Sequence, residues 1–107
     1  MEPKQLITNK EVNIKGHGIY MIYVVATGKA YIGQSKNMKR REYQHFFNLK
    51  NNKHNNSHLQ NSYNKYGKKA ILFIPLENCT NEELVSRENY YIELIEGWSL
   101  NCQAGTL

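Results

Sequence analysis

Glu88 is a carboxylate on a stripe that otherwise suits burial. At helical spacing it shares a face with Leu84, Tyr91 and Ile95. There a charge is expensive unless it finds a partner inside the fold or holds a cation. The neighbouring Arg87 points to another side of that helix, so any protein partner must come from a distant part of the chain. Magnesium suits such a group, because it takes oxygen ligands, often uses one or two protein carboxylates, and keeps its other positions for water and phosphate. Arg41 and His45, four residues apart, lie together on one side of a helix. The pair suits the oxygens of a phosphodiester, and equally an ordinary solvated face. Arg40 is an independent candidate for the same work. Tyr20 and Tyr31 fall on two neighbouring strand-like segments, with Gly18 and Gly33 leaving room for another backbone or a ligand to come close. Their competing reading is a cross-strand pair of good strand residues.

The elements that must position these residues are legible in outline. Residues 18–25 (GIYMIYVV) and 30–34 (AYIGQ) are rich in aromatic and β-branched types, and Thr27-Gly28-Lys29 supplies a turn between them, which predicts a hairpin. Alternation puts Tyr20, Ile22 and Val24 on one face and Ile19, Met21 and Tyr23 on the other. Asn37 suits the cap of a helix running to residue 49, in which Tyr43, Phe46 and Phe47 are expected to share the apolar face. After a polar loop over residues 50–56, Leu59, Tyr63 and Tyr66 have helical spacing and Gly67 is a natural stop. Residues 70–76 (AILFIPL) predict a short buried strand whose Pro75 suits an end or an edge. Thr80 with Glu83 is a capping-box signature, opening a helix that runs to residue 95. The order strand, strand, helix, helix, strand, helix predicts an α/β fold of the α+β type: a small three-stranded, mainly antiparallel sheet flanked by helices. Residues 1–15 read as either a loose arm or an added strand.

Composition narrows the function classes. A chain of 107 residues has room for one core. No apolar run approaches the roughly 20 residues that span a bilayer, and Glu2, Lys4, Asn9, Lys10 and Glu11 interrupt every short apolar stretch near the start, so no secretory signal is expected and the cytoplasm is the expected compartment, a host's cytoplasm if the protein is phage-encoded. Cys79 and Cys102 form neither a metal motif nor a disulfide framework, and are read as reduced. His17, His54 and His58 show no zinc spacing, and His17 and His58 read as exposed or locally bonded. The net charge of +5 favours a polyanionic partner. Lys36, Lys39 and Arg40 form one candidate nucleic-acid-binding group with Arg41, and Lys65, Lys68 and Lys69 form a second.

Gly18-Ile19-Tyr20 followed by Tyr31-Ile32-Gly33 resembles the pair of tripeptides that names the GIY-YIG nucleases. The resemblance continues in order through Arg41 and His45, the loop residue His54, the run from Leu59 to Gly67, Arg87-Glu88-Asn89, and Asn101. It is nearest to the nuclease domain of phage intron homing endonucleases. It implies a nuclease domain over residues 18–107, with residues 1–17 an arm or extension. It implies that Glu88 binds one magnesium ion per site, with manganese able to substitute, and that Arg41 and His45 bind the scissile phosphate. It also implies that Tyr20 or Tyr31 positions or deprotonates the attacking water, and that His54 and Asn101 are supporting residues. A phenol has a pKa of about 10, so Tyr20, the favoured base, needs Arg41 or the metal to stabilise its phenolate. Otherwise a water activated on the metal is the nucleophile and the tyrosine orients it.

Two departures from the homing enzymes bear on selectivity. Those relatives carry a linker and a separate DNA-binding module after the nuclease domain, whereas this sequence stops shortly after Asn101, so selectivity is expected to be slight, built into the nuclease surface, or supplied by a DNA-targeting partner protein. Gln34 is bulkier than the small residue often found after YIG and is expected to alter access to the site. The favoured expectation is a stand-alone nicking endonuclease, monomeric or weakly dimeric, with DNA as substrate. Its rivals are a dimeric restriction-type enzyme, a non-catalytic nucleic-acid binding module on the same fold, and an enzyme acting on RNA.

Overall fold

The protein was analysed as a computed structural model, which describes residue 6 and residues 11–100. Three strands, β1 (Gly18–Val24), β2 (Lys29–Ser35) and β3 (Ile71–Asn78), form one sheet in the order β2-β1-β3, with both pairings antiparallel. The helices are α1 (Met38–Lys50), α2 (Ser57–Tyr66) and α3 (Leu84–Leu94).

Strand β1 is central, and its alternation splits the core in two. Ile19 and Met21 pack with Ala30, Ile32, Leu76 and the α3 residues Leu84 and Tyr91, joined by Ile95. Tyr20, Ile22 and Val24 pack on the opposite face with Met38 and Leu49 of α1, Leu59 of α2 and Ile71. Six of the seven β1 residues are buried, as expected of a strand covered on both sides.

The hairpin closes through Gly28, whose φ of +72° favours glycine. Pro75 lies on the edge strand β3, where the register jumps: Ile19 pairs with Glu77 and Tyr20 with Pro75, leaving Leu76 as a bulge. A residue with no N–H is tolerated there.

Asn37 caps α1 by accepting from the Arg40 N–H at 3.1 Å, and Asn56 caps α2 by accepting from the Leu59 N–H at 3.0 Å. Thr80 and Glu83 form the expected capping box, but it opens a short 3-10 turn over residues 81–83 that precedes α3. The described residues of the amino-terminal segment lie against the domain: Leu6 is buried in the α3-side core, Val12 and Ile14 pack on the other cluster, and the Ile14 carbonyl accepts from the Lys39 N–H at 2.7 Å.

The expected apolar face of α1 is corrected. Tyr43 and Phe47 are 70% and 52% exposed, and only Phe46 of that trio packs against the core. The buried side of α1 is Met38, His45 and Leu49, so the interior place goes to a histidine that the spacing had put on another side of the helix with Arg41. The helix is rotated because Met38 and Leu49 frame a core position that His45 can fill only when its nitrogens have partners.

Candidate active site

The site gathers where α1 and α3 both approach the β2 edge of the sheet. Tyr31 packs on the α1 side of β2, whereas Ala30 and Ile32 face α3. Gln34 follows the Ala30 and Ile32 alternation towards α3, so the site wraps around that edge. A cavity of about 230 Å³ opens there, lined by Tyr31, Arg41, His45, Asn48, His54, Asn55 and Asn56.

Inside it a chain of hydrogen bonds has one direction. The Asn56 N–H donates to His54 Nδ1 at 3.0 Å, which makes that nitrogen an acceptor. A neutral His54 then carries its proton on Nε2 and donates it to His45 Nδ1 at 2.7 Å. The same logic leaves the proton of His45 on Nε2, which donates to the Tyr20 phenol oxygen at 2.6 Å. Burial, first, and then the His54 and Arg41 charges hold His45 down at about 3, so it is neutral at physiological pH. Burial and then Arg41 also lower His54, against a smaller upward pull from the Asn56 backbone. One backbone amide therefore sets both imidazole tautomers and aims an N–H at Tyr20.

Both tyrosines are pushed above the ordinary phenol value by burial. For Tyr20 the Tyr31 charge adds to the rise and the Arg41 guanidinium opposes it. For Tyr31, Arg41 is again the opposing influence and Glu88 raises it further. Tyr20 is 1% exposed and stacks on Phe73 with ring centroids 4.6 Å apart, whereas Tyr31 is half-buried and lines the cavity.

The two glycines of the tripeptides have specific steric reasons. A Cβ on Gly33 would collide with the Tyr20 ring, and one on Gly18 would collide with the Glu77 carbonyl oxygen and, at 2.7 Å, with Met38 Cε. Close approach is needed by this chain's own atoms.

Arg41 and Glu88 are both half-buried and neither is in an ion pair among the described residues. A glutamine holds each instead. The Arg41 guanidinium donates to Gln44 Oε1 at 2.9 Å, and Gln34 Nε2 donates to Glu88 Oε1 at 2.9 Å. Gln34 is thus the distant partner that the Glu88 position required, and its length lets it reach the carboxylate. Gln44, Asn48 and Asn56 escaped the sequence reading, since a polar amide carries no spacing signal, and Gln34 was noticed only for its bulk beside YIG.

The structure brings Tyr20, Tyr31, Arg41, His45 and His54 together, with Glu88 close enough to act on both tyrosines. Asn101 and Cys102 lie outside the described residues. Lys36, Lys39 and Arg40 are exposed near the start of α1, while Lys65, Lys68 and Lys69 are exposed around the end of α2, away from the cavity lining. Among the described residues no group of three or more His, Cys, Asp or Glu is placed to hold a metal. No helix among them is long and apolar enough to cross a membrane.

The geometry has counterparts among known proteins. Intron-associated endonuclease 1 of Enterobacteria phage T4 is 35% identical over 78 residues, covering 71% of this chain and 31% of that protein. The chain thus spans under a third of that relative's length. The solved catalytic domain of homing endonuclease I-TevI matches with a TM-score of 0.69 at 28% identity, over 78% of this chain and 96% of that one. A mutant of the same domain matches with a TM-score of 0.68 at 29% identity, over 75% and 84%. Residues 16–101 match the family described as the GIY-YIG catalytic domain, and with the two tripeptides packed on one another through Gly33 and the Tyr20 ring, the chain belongs to that family.

Proposed function

We propose that the chain is a magnesium-dependent endonuclease that hydrolyses DNA phosphodiester bonds, one strand per encounter. The observation that carries the reading is the pair Arg41 and Glu88: opposite charges flanking two tyrosines, each held by a neutral amide and so left uncompensated. Charged groups kept half-buried without ion partners are costly, which points to ligands that complete them.

The residues fit magnesium. Gln34 occupies Glu88 Oε1 and leaves the other oxygen for a cation. A lone carboxylate suits an ion that draws its remaining ligands from water and phosphate, and does not suit a protein-caged zinc or calcium site. When bound there, magnesium would offset negative charge on the phosphate oxygens.

The protein's own part follows from the cavity. Arg41 grips the scissile phosphate and neutralises the charge that builds on it as a water oxygen bonds to phosphorus and the sugar oxygen leaves. Tyr20 takes the proton of that water, because His45 already directs an N–H at its oxygen and Arg41 favours its ionised form. Tyr31 lines the cavity and orients the water. With both phenols raised above 10, the ionised fraction is small at neutrality, so the cleavage rate rises with pH across about 7–9.

The test is incubation of supercoiled plasmid with magnesium, comparing the natural chain with Glu88→Ala and Arg41→Ala. Relaxed circles from the natural chain alone support a nicking enzyme. Equal product from Glu88→Ala removes the cation from that carboxylate, and linear product as the first species moves the reading to a dimeric double-strand enzyme. Binding without cleavage by every variant, on DNA and RNA alike, leaves a binding module.

A further inference from the structure

The exposed side of α1 carries two aromatic rings that the catalytic reading does not use. Tyr43 and Phe47 are one helical turn apart, 70% and 52% exposed, with ring centroids separated by 6.2 Å and planes 26° from parallel. Neither contributes to the core clusters. They stand in a stripe at helical spacing, Arg40, Tyr43, Phe47 and Lys50, with a cation at each end. That stripe is about 15 Å long at 1.5 Å per residue.

Beside it lies an open cleft of about 540 Å³ lined by Arg41, Tyr43, Gln44, Phe47 and Asn48. Arg41 and Asn48 also line the active-site cavity, so the two depressions adjoin. The cleft therefore offers a flat apolar surface, two amide side chains able to donate and accept, and flanking positive charge, next to the arginine assigned to the phosphate. A nucleobase matches each of these: a π-face to stack, a hydrogen-bonding edge, and anionic phosphates on either side. A base paired and stacked inside a duplex has no free face, so only an unpaired or extrahelical nucleotide can use the shelf.

We infer that Tyr43 and Phe47 form a stacking shelf for one unpaired base of the substrate strand, beside the phosphate held by Arg41, and that DNA carrying an unpaired nucleotide is the preferred substrate. This rests on the endonuclease reading above and names its substrate class.

The test uses oligonucleotide duplexes of one sequence, either fully paired or with a single bulged 2-aminopurine, with Glu88→Ala protein to prevent cutting. Bulged DNA is expected to bind more tightly than paired DNA, and the bulged 2-aminopurine is expected to lose fluorescence on stacking. Adding Tyr43→Ser and Phe47→Ser should remove that loss and weaken bulge binding by about 5- to 100-fold. Affinity for paired DNA should stay within about twofold, because phosphate contacts alone carry it. Circular dichroism of the variant, expected to match the parent because both rings are exposed, separates this from misfolding. Equal binding of bulged and paired DNA, or unchanged bulge binding in the double variant, overturns the shelf. If the otherwise natural Tyr43→Ser, Phe47→Ser chain also still nicks plasmid, the nuclease reading survives that loss. If the natural chain never nicks but Glu88→Ala still quenches the bulged base through these rings, the shelf stands and the nuclease reading falls.

Discussion

Two regions of this domain each bring an arginine, a glutamate and a tyrosine near one another, and they are built on opposite principles. Beside β3 and α3, Arg87 grips Glu77 through two hydrogen bonds of 2.8 Å, and Tyr91 donates to the same carboxylate at 2.7 Å. The guanidinium also lies 4.3 Å from the Tyr90 ring centroid. Its cleft contains Cys79, whose thiol is pushed up by burial and then by the Glu77 and Glu83 charges, which makes it a poor nucleophile. Those charges have already found one another. At the β2 edge, Arg41 and Glu88 face glutamine amides, which fix their directions and leave their charges unspent. Within one small fold, an ion pair serves as a strut, while under the proposed function the charges held by neutral amides are the ones kept for a ligand.

The largest expected effect sets the two regions apart on activity. Glu88→Ala or Arg41→Ala should slow plasmid nicking by about 10² to 10³, with little change in thermal midpoint, since each side chain is partly exposed and neither is in an ion pair among the described residues. Activity retained in either variant would erase the distinction.

A second contrast is pH. His45 is neutral in the fold with its pKa held down at about 3, against about 6.5 in the unfolded chain. Protons therefore bind the unfolded state first. The stabilising contribution is whole above pH 6.5 and is lost as pH falls from there towards 3, at about 1.4 kcal/mol per pH unit. His54, also lowered, adds to the loss. Chemical denaturation at pH 7.5, 6 and 5 should show a steeper decline than in His45→Gln; parallel curves would mean that the buried relay tolerates charge. Heteronuclear NMR should find the His45 proton on Nε2, and a proton on Nδ1 would reverse the direction drawn here.

Gln34→Leu comes next. It keeps the bulk, removes the amide that orients Glu88, and should weaken the magnesium requirement curve by about 10- to 100-fold while leaving stability unchanged. An unaltered magnesium dependence would reduce Gln34 to packing. The smallest effect belongs to the closed cleft: Glu77→Ala should lower stability by about 1 kcal/mol, after allowance for the partial exposure of Arg87, and leave nicking untouched at temperatures where the domain stays folded. A loss of nicking there would join the two regions into one machine.

The sequence by itself determined the element order, the alternation of β1, the caps at Asn37 and Thr80, and the residue types needed for chemistry, because periodicity and capping are local. Glu88 could be singled out because a carboxylate on an apolar stripe conflicts with its neighbours, a conflict visible within one turn of helix. Only the tertiary structure decided which side of α1 is buried, since Tyr43, Phe46 and Phe47 had the apolar pattern and His45 took the interior place through partners supplied by Tyr20 and by His54, nine residues along. It likewise decided that Gln34 reaches Glu88 across 54 positions and that one Asn56 N–H orients two imidazoles. Amide partnerships of this kind follow no sequence period; they exist only where packing brings a donor within 3 Å of an acceptor that has nowhere else to turn.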